Sequence, residues 1–177
     1  MQKEAIADLL LSNHLVFMKR IRELSIEEVQ FAPEGKWSAL EQLDHIVKSV
    51  SPVNMALGLP KFIVKWRFGV ANRPSKTFEE LVAKYNRKLT EGGRASGRFV
   101  SLNVGIYQKE ELLKNLTLLV KRLCDKTVDH SEEALDKYLL PHPLLGKLTF
   151  REMLYFTAYH VEHHLALVNK GLEQMNS

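Results

Sequence analysis

The stretch from Thr149 to Lys170 constrains this chain more than any other. Placed about 100° apart, its residues Met153, Leu154, Phe156, Ala158, Val161, Leu165, Leu167 and Val168 spread over one broad side. Arg151, Glu162 and Asn169 fall opposite. Thr149-Phe150-Arg151-Glu152 reads as a capping box, in which a threonine and a glutamate three residues later serve each other's backbone N–H groups. Gly171 is the expected stop. The pattern predicts a long helix with one apolar side. Inside it stands Tyr159-His160-Val161-Glu162-His163-His164. Residues four apart lie one turn above each other, so His160 and His164 point the same way, both on the apolar side. His163 falls at the polar margin. Neutral imidazole is the commonest protein ligand for zinc, nickel and iron. A buried imidazole without a partner costs about 1–3 kcal/mol. The pair therefore reads either as two ligands to one ion or as two core histidines bonded to polar neighbours.

The other segments are also helical in pattern. A first helix is expected from about Gln2 to Leu24, and Ser25-Ile26-Glu27-Glu28 opens a short turn of helix before Pro33 and Gly35 break the pattern. Ser38-Ala39-Leu40-Glu41 is another capping box and starts a helix reaching about Met55, with Pro52 as a candidate kink. Pro60 to Val70 reads as helix or half-buried loop, Thr77 to Leu89 as a short helix, and Glu91 to Gly97 as a flexible connection. A further long helix spans about Lys109 to Lys126, and Pro141-His142-Pro143 with Gly146 marks a turn. Four long helices with an irregular middle predict an all-α four-helix bundle. No internal repeat, phosphate-binding glycine loop or strand-rich segment interrupts that reading.

At 177 residues, the chain suits a single domain over residues 1–177 with a substantial core. Cys124 stands alone, which rules out an internal disulfide and fits a reducing compartment. The N-terminus does not read as a signal peptide, and no apolar run approaches the ~20 residues needed to cross a bilayer. The expectation is a cytoplasmic protein with no membrane partner. Net charge is +4, yet between Lys61 and Arg98 ten basic residues face only Glu79, Glu80 and Glu91. Such a segment is either solvated surface or an attractor for an anionic small molecule, a membrane surface or nucleic acid; no nucleic-acid-reading motif accompanies it.

Trp37-Ser38, His45 eight positions after the tryptophan, the histidine pair of the last helix, and the turn from Leu140 to Thr149 together resemble the DinB/YfiT-like superfamily. The resemblance runs over most of the chain in order, although its specific anchors are two segments. It implies a four-helix bundle with a divalent metal held by three histidines. By position these are His45, His160 and His164. Imidazole-rich sites suit zinc and nickel equally. Helical projection alone places His45 opposite the stripe of Leu43, Ile46, Val47 and Val50, as a surface histidine would be. Glu41, one turn earlier, is either an orienting carboxylate for that ring or the capping glutamate.

What the resemblance implies for function is a metal-dependent enzyme that hydrolyses a small substrate or transfers a low-molecular-weight thiol. The alternative is a non-catalytic helical binding protein that retains the bundle. A small-molecule substrate and pairing into a homodimer complete the expectation. The sequence names no catalytic base or nucleophile: Glu162 lies off the histidine side, Asp44 is turned away from His45, Tyr155 and Tyr159 read as packing residues, and Cys124 as a core thiol.

Overall fold

A computed structural model of the chain describes residues 1–101 and 104–175. Its helices are α1 (Lys3–Glu23), α2 (Ile26–Gln30), α3 (Ala39–Leu57), α4 (Lys61–Phe68), α5 (Phe78–Thr90), α6 (Lys109–Asp129), α7 (Glu132–Lys137) and α8 (Phe150–Met175). Between α7 and α8 lies an antiparallel hairpin of β1 (Leu139–His142) and β2 (Gly146–Thr149). The four long helices close a ring in which α1 lies against α6 and α8, and α3 against the same two helices. The core fills that ring with Ile6, Leu10, Phe17, Leu43, Ile46, Leu116 and Leu154, all essentially without solvent contact. The fold is an all-α four-helix bundle, with α5 laid on the outside of α8.

The capping boxes act where they were expected. Ser38 Oγ accepts the Glu41 N–H at 3.2 Å while the Glu41 carboxylate accepts the Ser38 N–H at 2.8 Å. Thr149 and Glu152 make the same exchange at 3.1 and 2.9 Å. Each box satisfies N–H groups that a helix start otherwise leaves unpaired. Ser25 with Glu28 and Thr77 with Glu80 add two more boxes. Pro52 sits inside α3 without ending it.

In the middle, α4 takes the helical one of its two readings and α5 is the expected short helix. Three expectations change. Gly171 does not stop α8, which continues to Met175. A Cβ there would meet Pro33 at 3.5 Å, an ordinary contact. The turn around Pro141 is the end of a hairpin: Leu140 pairs with Leu148, both are buried, and the His142 ring accepts the N–H groups of Leu144 and Leu145 at 3.1 and 3.0 Å. Arg151 is buried rather than solvated. Its guanidinium grips the Asp136 carboxylate at 2.6 and 3.0 Å and Glu132 at 2.5 Å, so α7 covers what the helical projection left to water.

The start of α8 is fastened by a second ion pair. Glu152 has no solvent exposure, and its carboxylate accepts Arg73 through two bonds of 2.6 and 2.9 Å plus the Lys76 N–H at 2.8 Å. Burial alone would raise this carboxyl, but the Arg73 pair and the backbone donors hold it below the usual carboxylate range. Without Arg73 this buried charge would keep only its backbone donors and the Lys76 amine 3.9 Å away. Arg73→Ala should therefore destabilise the fold by about 3 kcal/mol, read as a lower urea midpoint at neutral pH.

His14 supplies a separate prediction. It is fully buried on α1, its Nδ1 donates to the Leu10 carbonyl at 2.7 Å, and its Nε2 has no partner. Burial pushes its pKa down to about 4. The unfolded chain, with an ordinary imidazole near 6.5, then binds the proton more readily than the folded one. Stability is unaffected by this group above about pH 6.5 and falls as pH drops toward 4, by about 3 kcal/mol in full. Denaturation at pH 7.5 and pH 5 should show a smaller acid loss for His14→Leu than for the parent chain; equal losses would contradict the assignment.

Candidate metal centre

His45 sits in the middle of α3, and His160 and His164 on successive turns of α8, where these two helices pack side by side. All three are buried, at 4%, 7% and 5% exposure. Their ring nitrogens converge: His160 Nε2 lies 3.3 Å from His45 Nε2 and 3.0 Å from His164 Nε2. Among the described residues this is the one group of three metal-ligating side chains whose ligand atoms all lie within 4.8 Å of one another.

The outer ring nitrogens decide what that convergence means. His45 Nδ1 lies 2.6 Å from the Phe99 carbonyl, an acceptor only, so it carries the proton and leaves a lone pair on Nε2. His164 Nδ1 donates in the same way to the Gln42 side-chain carbonyl. Two Nε2 lone pairs therefore face the third ring. A single proton on His160 Nε2 satisfies one of them, and the other donor in reach is the Ser49 hydroxyl at 3.4 Å from His45 Nε2, long for an O–H donor. One cation at the shared point satisfies all three. For nitrogens about 2.0–2.1 Å from a tetrahedral ion, neighbouring nitrogens stand about 3.3 Å apart. The observed separations fit that edge, so the donor set suits a divalent metal.

Electrostatics favour the ligand form as well. Burial, then the neighbouring imidazoles, holds His160 and His164 well below the ordinary histidine range, and burial lowers His45. Neutral rings are those that bind metals. The walls are aromatic: Phe156 stacks on His160 at 4.7 Å, and Trp37 stands 5.0 Å from His45 and 6.4 Å from His164. Tyr85 reaches across from α5 to within 6.0 Å of His160. Ser49 Oγ, one turn beyond His45, is 3.4 Å from its Nε2 and brings a hydroxyl to the lone-pair side.

His45 is thus no surface residue. Helical projection treated the polar side of α3 as facing water, but α8 and a single helical turn at Gly97–Phe99 cover it, and Gln42 and Asp44 are buried beside His45. Gly97 takes φ +56°, which an L side chain rarely adopts, and the turn it opens presents the Phe99 carbonyl. Glu41 remains the capping glutamate. The orienting partners are Phe99 and Gln42, and neither was marked in the sequence: one acts through its backbone, the other is an isolated glutamine without a motif.

The remaining candidates have other occupations. His163 is half-buried against Tyr85 at 5.7 Å and lies outside the cluster. Asp44 bonds Lys48 at 2.5 Å and Ser101 at 2.7 Å. Glu162 is exposed. Tyr155 accepts the N-terminal amine at 3.1 Å, and Tyr159 bonds Asn86. Burial pushes the Cys124 thiol up to about 11, and it donates to Ala7, as a core thiol would. The basic segment divides. Arg73 is committed to Glu152, and the Lys61 amine lies 2.7 Å from His130 Nδ1, but Arg73, Lys76, Lys84 and Arg87 also line an open cleft of about 670 Å³.

Residues 13–168 match the family model of the DinB superfamily. The chain belongs to the DinB superfamily. Comparison with curated proteins gives no match. The superfamily is metal-associated, and this member's histidine triad is able to hold a metal. Among the described residues no helix of this DinB-superfamily chain is long and apolar enough to cross a membrane.

The proton placement is directly measurable. Long-range ¹H–¹⁵N spectra of the metal-free protein at neutral pH should show His45 and His164 as the Nδ1–H tautomer. Gln42→Leu should release His164 alone from that state. Nε2–H tautomers at both positions would remove the case for three convergent lone pairs.

Proposed function

We propose that His45, His160 and His164 bind one divalent metal, zinc or nickel, and that this DinB-superfamily chain is a metal-dependent enzyme acting on a small molecule. The observation that supports this most is the arrangement of Nδ1 donors, which leaves Nε2 lone pairs aimed at one point. When bound, such an ion polarises a substrate oxygen, lowers the pKa of bound water or stabilises a thiolate. The chain's own residues do the rest. The Phe99 carbonyl and Gln42 hold two rings in the ligating tautomer. Trp37, Phe156 and Tyr85 exclude water from the donors. Ser49 offers a hydroxyl through which a water or substrate beside His45 can be held.

Hydrolysis of a small substrate and transfer of a low-molecular-weight thiol both fit three neutral ligands. The open basic cleft, lined by Arg73, Lys76, Lys84 and Arg87 and by none of the three histidines, would attract an anionic reactant to the protein, and an anionic thiol meets that description. A non-catalytic binding protein that keeps the metal is the remaining alternative.

Elemental analysis of untagged protein should find about one equivalent of zinc or nickel. His160→Ala and His164→Ala should lose most of it, His163→Ala should keep it, and Gln42→Leu should weaken affinity by about tenfold or more. Retention of metal by all of these variants would overturn the ligand assignment. A panel of thiols with electrophilic acceptors, run beside hydrolytic substrates, should give activity lost on chelation and in His164→Ala. Capture of an anionic reactant should weaken as salt rises. Metal retained without turnover on either panel would favour the binding protein.

A further inference from the structure

Two large aromatic side chains stand almost wholly in solvent on α4. Phe62 and Trp66 are 73% and 84% exposed, and their spacing of four residues puts them one above the other on the outer side of that helix. Val64 is the buried residue that seats α4 on the hairpin side of the bundle. Single exposed apolar residues are ordinary on protein surfaces, but a Phe and a Trp one turn apart on the solvent side of one helix make a patch suited to contact.

The charge beside the pair has one sign. No Asp or Glu occurs between Asp44 and Glu79. Lys65 and Arg67 are exposed next to Trp66, and the Lys147 amine reaches over from the hairpin to the Phe68 carbonyl at 2.8 Å, placing a third cation at the end of α4. Lys61 points inward instead, over the rings of Tyr138 and Phe150 at 5.8 Å each.

We propose that α4 docks the protein peripherally on an anionic lipid surface. Phe62 and Trp66 enter the boundary between headgroups and acyl chains, while Lys65, Arg67 and Lys147 meet the phosphates. Tryptophan's amphipathic ring suits that boundary, and basic side chains next to inserted aromatics are what anionic lipids recognise. This departs from the expectation of no membrane partner, which rested on the lack of a spanning run. A helix that lies on a bilayer needs no such run. A second copy of the chain fits less well. A two-fold contact sets the same patch against itself, and the cations of α4 would face their equivalents with no acid on the helix to answer them.

The test is co-sedimentation of the full chain with vesicles of phosphatidylcholine alone and of phosphatidylcholine mixed with phosphatidylglycerol, at low salt and at about 0.15 M salt. Binding is expected to the anionic vesicles alone and should weaken at the higher salt. Phe62→Ser with Trp66→Ser should reduce it by about tenfold or more, and Lys65→Glu with Arg67→Glu should abolish it. These positions are exposed, so circular dichroism should be unchanged. The blue shift of tryptophan emission on vesicle addition should disappear in Trp66→Phe, since Trp37 stays in place. No binding to anionic vesicles, or binding that survives the double serine variant, overturns the proposal. So does a dimer in sedimentation that Trp66→Ser dissolves, which would give the surface to a second copy, or tight association with an acidic peptide in place of the lipid.

Discussion

The carboxylate of Glu152 is the point on which the arrangement around the histidines depends. It closes the capping box that starts α8, and it also takes both arms of the Arg73 guanidinium and the Lys76 N–H. One buried charge thus sets where α8 begins and ties down the segment that leads into α5. Both consequences matter at the other end of the helix. The register of α8 aims His160 and His164 at α3, and α5 brings Tyr85 over the imidazoles. A charge with no solvent contact is tolerable only because every strong donor around it is used.

The histidine cluster follows a related logic with the opposite outcome. Gln42 and the Phe99 carbonyl take up the outer nitrogens of His164 and His45, and what remains is a set of inner nitrogens that share a ring proton and one long contact to the Ser49 hydroxyl. The bundle brings the third imidazole to the other two at low conformational cost, because α3 and α8 are already held by the core on either side. Most buried polar groups have something that completes their bonding. At Glu152 that something is an arginine of the same chain. At His45, His160 and His164 it is a position a metal ion suits.

A different accounting holds on the outer face. Three of the ten cations of the basic middle have taken structural work: Arg73 on Glu152, Lys84 on the Leu145 carbonyl, Lys61 against His130. Their density in the sequence therefore overstates the free charge. Lys65 and Arg67 remain uncommitted to acids, and they flank the aromatic pair that the core did not absorb.

How much was legible beforehand divides by range. The helix starts at Ser38 and Thr149, the apolar side of α8 and the parallel direction of His160 and His164 are properties of residues three or four apart, and local geometry determined them. The pairing of His45 with those two needed the resemblance, since a helical projection knows only one side of α3 as buried. The burial of Arg151 depended on α7 arriving from elsewhere in the chain. The same holds for the tautomers. A backbone carbonyl at Phe99 carries no residue signature, and Gln42 acts only because α8 passes in front of it. Periodicity and caps are short-range and written in the sequence; burial of a polar side and choice of hydrogen-bond partner belong to whichever distant segment packs there, and only the tertiary structure decides that.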